Sequence, residues 1–317
     1  MSTMRATKLH ADAFSGCNPI VNFMYFAFVL GITIFFLHPV LLGISFVSGM
    51  VYSIYLNGGK AVKFNLAFLL PLMVAAAVIN PAFNHQGVTI LTYVRMNPIT
   101  LESILYGIAA AVMIGSVILW FSCYNAVMTS DKFLYLFGRI IPALSLIISM
   151  ALRFVPRYKA QIKRITNAQR GIGRDVSSGN VIVRIRSGLS ILSILVTWAL
   201  ENAIETADSM KSRGYGLKGR TAYSNFRFDF RDRILVVAML LFFAGIIASI
   251  ALHRLSVLYF PAFVINVPDG FVLVAYAEYL IICTLPLMLD IREDLIWRTL
   301  RLKIVSSGNK SSNGADV

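Results

Sequence analysis

The sequence predicts an all-α polytopic membrane protein of about six transmembrane helices, with a large amphipathic helical insertion between the fourth and fifth spans. Three observations predict it. Hydrophobic residues are 57% of the 317 and charged residues 14%, against about a quarter charged in soluble domains. Six apolar runs come near the ~20 residues needed to cross a hydrocarbon core. Lys and Arg fall almost wholly on one side of the resulting topology.

The first run occupies 20–37, behind Arg5 and Lys8. Its flanks imitate a signal peptide, but it is long for an h-region and no small-residue cleavage pattern follows, so it is read as the first span. A tight turn at His38-Pro39 returns the chain through a second span ending at residue 56, and the third covers 66–83. A polar loop is expected over 84–100, then a fourth span over 104–128, and after the insertion a fifth and sixth over 234–252 and 271–289. With the N-terminus inside, 27 of the 29 Lys and Arg lie on inner segments and only Arg95 and Arg254 outside. Both termini are therefore expected in the cytoplasm. The expected domains are an N-terminal bundle (1–128), a cytoplasmic domain (129–233), a C-terminal membrane hairpin (234–290) and a polar tail (291–317), partly disordered after Ile304.

Two apolar runs inside the insertion, 140–152 and 188–200, have about 13 residues each. That length suits a buried or interfacial helix better than a span, and crossing would carry the basic residues from Arg153 to Arg186 outside. The net charge of +14 raises nucleic acid as a partner. The basic residues flank spans, however, so topology accounts for them and no nucleic acid is expected.

Cys17, Cys123 and Cys283 are isolated, and His10, His38, His85 and His253 are scattered. Neither a disulfide framework nor a metal site follows from such spacing, and no cofactor is expected. Gly214-Tyr215-Gly216-Leu217-Lys218-Gly219 lacks the spacing of a phosphate loop, and no nucleophile elbow or His-Glu-x-x-His occurs. ATP hydrolysis, if it energises this protein, belongs to another chain.

From Phe154, the residues Phe154, Tyr158, Ile162, Ile165, Ala168 and Ile172 recur every three or four positions, as on one face of a helix. A second stripe runs through Leu189, Leu192, Val196, Ala199, Ala203, Ala207 and Met210, with Glu201, Glu205 and Asp208 on another face. The segment 173–187 is expected to join the two helices. Each runs out into an Arg-Gly turn, Gln169-Arg170-Gly171 and Ser212-Arg213-Gly214. Glycine there serves as a left-handed cap and arginine complements the last carbonyls. Alternatively, the arginine protrudes as a fork suited to a partner's carboxylate.

Glu278 stands about seven residues into the sixth span, roughly 10 Å along a helix. An ionisable group at that depth is a functional candidate, or else shares a hydrogen bond with a Tyr or Ser of the bundle. It also supports a rival reading, a self-contained secondary transporter with Glu278 as its proton or cation site. That reading calls for repeat symmetry between halves, which the sequence lacks. Glu102, at the outer edge of the fourth span, reads as interfacial.

The insertion resembles the transmembrane T component of energy-coupling factor transporters. The likeness runs through Asp131, Gly138-Arg139-Ile140-Ile141-Pro142, Ala151-Leu152-Arg153-Phe154-Val155-Pro156 and Ala168-Gln169-Arg170, then Glu201 and Ala207-Asp208-Ser209-Met210-Lys211-Ser212-Arg213-Gly214-Tyr215-Gly216. Asn18-Pro19 and His38-Pro39 also look like the family. The resemblance implies a bacterial cytoplasmic-membrane protein without an enzymatic activity of its own. It would pair with two cytosolic ABC ATPase subunits and a membrane-embedded substrate-binding S component, for vitamin or metal-ion uptake. The family's two Ala-Arg-Gly motifs end its coupling helices. Ser212-Arg213-Gly214 matches the second. At the first, Ile172 stands where the motif arginine would be, leaving Arg170 or Arg174 to take the role.

Overall fold

Asn18 opens the first helix by accepting the Ile20 N–H at 3.0 Å, and Pro19 takes the first helical position, where its missing N–H costs nothing. This computed structural model describes residues 13–94, 97–138, 141–175, 179–215, 217, 226, 228–265 and 269–312. Helix α1 (Pro19–Phe35) is followed by α2 (Pro39–Asn57), again with proline first. A short α3 (Gly59–Phe64) runs through a π-turn at Asn65–Leu69 into α4 (Leu70–Phe83). The expected plain loop contains an antiparallel hairpin, β1 (Ile90–Val94) with β2 (Asn97–Thr100). Thr100 then caps α5 (Leu101–Val127) through the Ser103 N–H.

Next come α6 (Ser130–Gly138), α7 (Pro142–Gly171) and α8 (Val181–Ser212). Helix α9 (Phe230–Ala251) is joined through a second small hairpin, β3 (Val257–Leu258) with β4 (Val264–Ile265), to α10 (Gly270–Ser312). The chain separates into one unit of Met1–Thr129 with Phe226–Val317 and another of Ser130–Asn225.

The protein is an all-α polytopic membrane protein. Six described helical stretches are long and apolar enough to cross a bilayer, namely Pro39–Asn57, Ala61–Phe83, Leu101–Val127, Val181–Ser212, Phe230–Ala251 and Gly270–Trp297. Five of these coincide with expected spans. The sixth differs from expectation. The first expected span forms a helix of only 17 residues, about 26 Å long. The 188–200 run, by contrast, is continuous with the apolar residues from Val181 and so reaches spanning length. Helix α10 also continues to Ser312, so the tail after Ile304 is helical that far instead of irregular.

Helices α1, α2, α5, α9 and α10 share one core, in which Tyr25, Phe26, Tyr52, Trp120, Met239 and Tyr279 are wholly buried. Polar atoms inside it form a chain. The Trp120 indole donates to Ser45 Oγ at 3.0 Å, Ser45 lies 2.8 Å from Thr33 Oγ1, and the Tyr279 hydroxyl lies 3.1 Å from the same Thr33 oxygen. Thr33 donates its own proton to the Val29 carbonyl at 2.7 Å. One hydrogen per hydroxyl then fixes the directions: Trp120 to Ser45, Ser45 and Tyr279 to Thr33, Thr33 to backbone. Four helices are tied by groups that would be costly to leave unpaired in a medium without water.

Three turns further along α10, near its middle, Asp290 is buried and accepts the Phe14 N–H at 2.9 Å and the Tyr52 hydroxyl at 3.4 Å. Asp294, one turn on, accepts from Tyr55 at 2.9 Å.

Ser45→Ala strips the Trp120 N–H of its acceptor and is expected to cost about 1–3 kcal/mol. The change should appear as a lower unfolding midpoint in detergent. A midpoint equal to that of the unmodified protein would contradict the proton chain.

Candidate functional site

The unit Ser130–Asn225 is built on α7 and α8. Residues 142–152 of the first apolar run and the amphipathic stretch from Phe154 are parts of a single 30-residue helix. Pro156 sits within it, at the local loss of one N–H donor. Helix α8 begins at Val181, so the link from α7 is shorter than the expected 173–187. Midway along, Tyr158 meets Trp198 edge to face at 5.7 Å, with Phe154 stacked on Tyr158. The Arg157 guanidinium lies over the same indole at 5.6 Å and donates to Asn202 Oδ1 at 3.1 Å. These contacts give α7 and α8 a fixed relation through aromatic and cation–π packing.

Both helices end in the same six-residue turn. In α7 the Arg174 N–H reaches back to the Gln169 carbonyl at 2.9 Å, the Gly173 N–H to the Arg170 carbonyl at 3.1 Å, and Gly173 is left-handed with φ +78°. In α8 the Tyr215 N–H reaches the Met210 carbonyl at 3.0 Å, the Gly214 N–H reaches Lys211 at 3.0 Å, and Gly214 has φ +76°. Both are Schellman caps, with glycine one residue past the cap position. The cap residues themselves are Ile172 (φ −98°, ψ 17°) and Arg213 (φ −84°, ψ 9°).

The sequence expectation is thereby corrected at the first end. Gly171 is the last helical residue, and Gly173 supplies the left-handed turn. In the common frame Ile172 corresponds to Arg213, Arg170 to Lys211, Gly171 to Ser212, and Arg174 to Tyr215.

The side chains at these ends differ. Arg213 is exposed and finds no partner among the described residues. Arg170 folds across its own turn, with Nε 3.1 Å from Asp175 Oδ2 and a second nitrogen 3.4 Å from Oδ1. Asp175 is the residue that sequence reasoning missed; its signal is an acid five positions after Arg170, across a glycine cap. Arg174 is exposed, and its backbone N–H closes the cap. Gln169 carries two of the cap bonds on its carbonyl, while its side-chain oxygen is buried with no partner among the described residues.

In the other unit, the Glu278 carboxylate is half-buried and rests against Gly245 of α9, so closely that a Cβ there would lie 2.5 Å from it. No hydrogen bond to it is found among the described residues. Glu102, at the start of α5, is buried and accepts the Thr89 N–H, tying the hairpin loop to α5. The cysteines are free and buried, and burial pushes the Cys17 thiol up to about 11.

Residues 14–223, from the start of the bundle through both arm ends, match the cobalt transport protein family, CbiQ. The chain belongs to this family. It is similar to the energy-coupling factor transporter transmembrane protein EcfT of Streptococcus thermophilus, 38% identical over 103 residues, which are 32% of this chain and 39% of the relative. EcfT of Lactobacillus helveticus is 39% identical over 119 residues, 35% of this chain and 43% of the relative. A homologue of the uncharacterized protein MG181 in Mycoplasma pneumoniae is 39% identical over 101 residues, 32% of this chain and 23% of the relative. The chain thus spans between about a quarter and two fifths of the length of the curated relatives it matches.

A side chain at a left-handed position costs about 1–2 kcal/mol. Gly173→Ala and Gly214→Ala should each fray their helix end, seen as faster hydrogen exchange at the Arg174 and Tyr215 amides respectively. Gly171→Ala, with no left-handed angle and nothing within 4 Å of its added carbon, should leave exchange unchanged. Equal effects at Gly171 and Gly173 would contradict the assigned frame.

Proposed function

We propose that this chain is the T component of an energy-coupling factor importer of the ABC type. It is a scaffold that links ATP hydrolysis by two cytosolic ATPase subunits to reorientation of a membrane-embedded S component, for vitamin or metal-ion uptake. The observation that carries the reading is the pair of arm helices, fixed to each other at Trp198 and ending in matched turns, one of which presents an exposed arginine. Membership of the cobalt transport family and likeness to EcfT support it.

In this mechanism each helix end seats in a groove of one ATPase. Arg213 reaches the groove as a rigid fork, because its backbone is already held at the cap position by the Gly214 turn. Closure of the ATPase pair on ATP displaces one end relative to the other, and the contacts around Trp198 pass that displacement along α7 and α8. The excess of Lys and Arg on inner segments sets the arm and both termini in the bacterial cytoplasm. Helix α4, without a buried residue of its own, offers Val74, Val78 and Phe83 to lipid or to the S component. Chemistry and substrate choice lie in the partner chains. Glu278 has no part in this cycle.

Arg213→Ala tests the proposal. Truncating a desolvated charge pair costs about 2–5 kcal/mol, so recovery of ATPase with the tagged protein should fall by roughly 30-fold or more, and ATP-driven uptake with it. Unchanged recovery would refute docking through Arg213. Uptake by the chain alone, driven by an ion gradient and abolished by Glu278→Gln, would establish the rival carrier.

A further inference from the structure

Between the last turns of α2 and α5 and the short α3 lies a cavity of about 590 Å³, with Asn57, Phe64, Ile118, Phe121, Ser122 and Asn125 on its walls. That is the size of a ligand site, about 300–1,000 Å³. On α5 the wall residues recur every three or four positions and form one face, roughly 10 Å long from Ile118 to Asn125. The face is graded. Ile118 and Phe121 lie toward the middle of the span, and Ser122 and Asn125 toward its end. There Asn57, the last residue of α2, donates to Ser122 Oγ at 3.5 Å. Phe64 adds a second aromatic wall, and Phe64 and Phe121 are 45% and 46% exposed, so the cavity opens to the surroundings at bilayer depth.

Charge at this end has one sign. No acid lines the cavity. Helix α3 carries Lys60 and Lys63, and Lys63 is exposed with no ion pair among the described residues. Helices α1 to α5 hold a single carboxylate, Glu102, at the other end of α5. Asp294 meets α2 at Tyr55, roughly 200° around the helix from Asn57, and so belongs to another flank.

We propose that this cavity binds an anionic phospholipid, with phosphatidylglycerol as its simplest form. Asn57, Ser122 and Asn125 donate to the phosphate, the lysines of α3 offset its charge, and an acyl chain runs along Phe64, Phe121 and Ile118. A polar end and an apolar end about 10 Å apart follow the order of headgroup and chain across the membrane interface. A soluble anion would leave the apolar end unfilled, and a wholly apolar helix would leave the polar end unpaired. Basic pockets between spans, on the face richest in Lys and Arg, suit such headgroups. The lipid would bind whether or not the arm couples to an ATPase.

The experiment adds phosphatidylglycerol, or phosphatidylcholine with the same chains, to the delipidated full chain in detergent and counts bound copies by native mass spectrometry. A lysine beside an anionic headgroup is worth about fivefold in binding, so phosphatidylglycerol should bind about 25-fold more tightly. Lys60→Gln with Lys63→Gln should remove that preference, and Lys60→Arg with Lys63→Arg should keep it. Lys159→Gln with Lys163→Gln, which takes two exposed lysines from the arm, should keep it as well. Phosphatidylglycerol with a photoreactive group in mid-chain should crosslink to the peptides that hold Phe64, Ile118 and Phe121. Equal binding of the two lipids, a preference that survives Lys60→Gln with Lys63→Gln, or crosslinks spread evenly over the spans would each overturn the site. Because Cys17, Cys123 and Cys283 are buried, Asn125→Cys can carry a photo-crosslinker in native membranes. Capture of a protein there instead of lipid would also overturn it.

Discussion

A left-handed glycine decides which side chain stands at the tip of each arm helix. An α-helix leaves its last carbonyls without partners, and here the amides of Gly173 and Arg174, and of Gly214 and Tyr215, turn back to satisfy them. Once that turn is closed, the residue before the glycine is the last to project from the helix end, with little freedom left in its backbone. Such a tip suits a lever. In the proposed mechanism it would meet a partner with little backbone ordering left to do, and a displacement at the tip would pass into the helix instead of being absorbed by a loop.

The membrane unit obeys the same demand for satisfied polar groups in a harsher solvent. Trp120, Ser45, Thr33 and Tyr279 close on one another across four helices. Asp290 uses the Phe14 amide and the Tyr52 hydroxyl to draw the segment before α1 and helix α2 onto the middle of α10. A bundle cross-tied in this way is a stiff anchor. Helix α4 differs, resting on α5 with no buried residue of its own, so that side of the unit is the more exposed one.

Much of this was legible in sequence, because it rests on one-dimensional signals. Apolar runs of spanning length, Asn18-Pro19 and His38-Pro39 at helix starts, and the three-and-four spacing from Phe154 each encode a local preference that the fold keeps. Cap register was harder. Arg170-Gly171 and Arg213-Gly214 look alike as letters, but the backbone chose Gly173 over Gly171 in the first, and only hydrogen bonds reveal that choice. The Arg170–Asp175 pair depends on the resulting reversal of the chain, and Ser45 with Trp120 on helix packing. Helix length was misjudged at α7 because an apolar run and an amphipathic one were counted apart, and at α8 because 181–187 was assigned to the link between the helices, although nothing there breaks a helix.

The most direct test of the lever is the distance between the two helix ends during the ATP cycle. Gly171 and Ser212 are equivalent, exposed last residues of α7 and α8, and spin labels at Gly171→Cys and Ser212→Cys would leave Ile172 and Arg213 intact. With both ATPases and the S component assembled in a bilayer, addition of ATP should shift the distance distribution between the labels, and hydrolysis should restore it. A distribution that is the same in every nucleotide state would show that the arm carries no motion, and would contradict the coupling role.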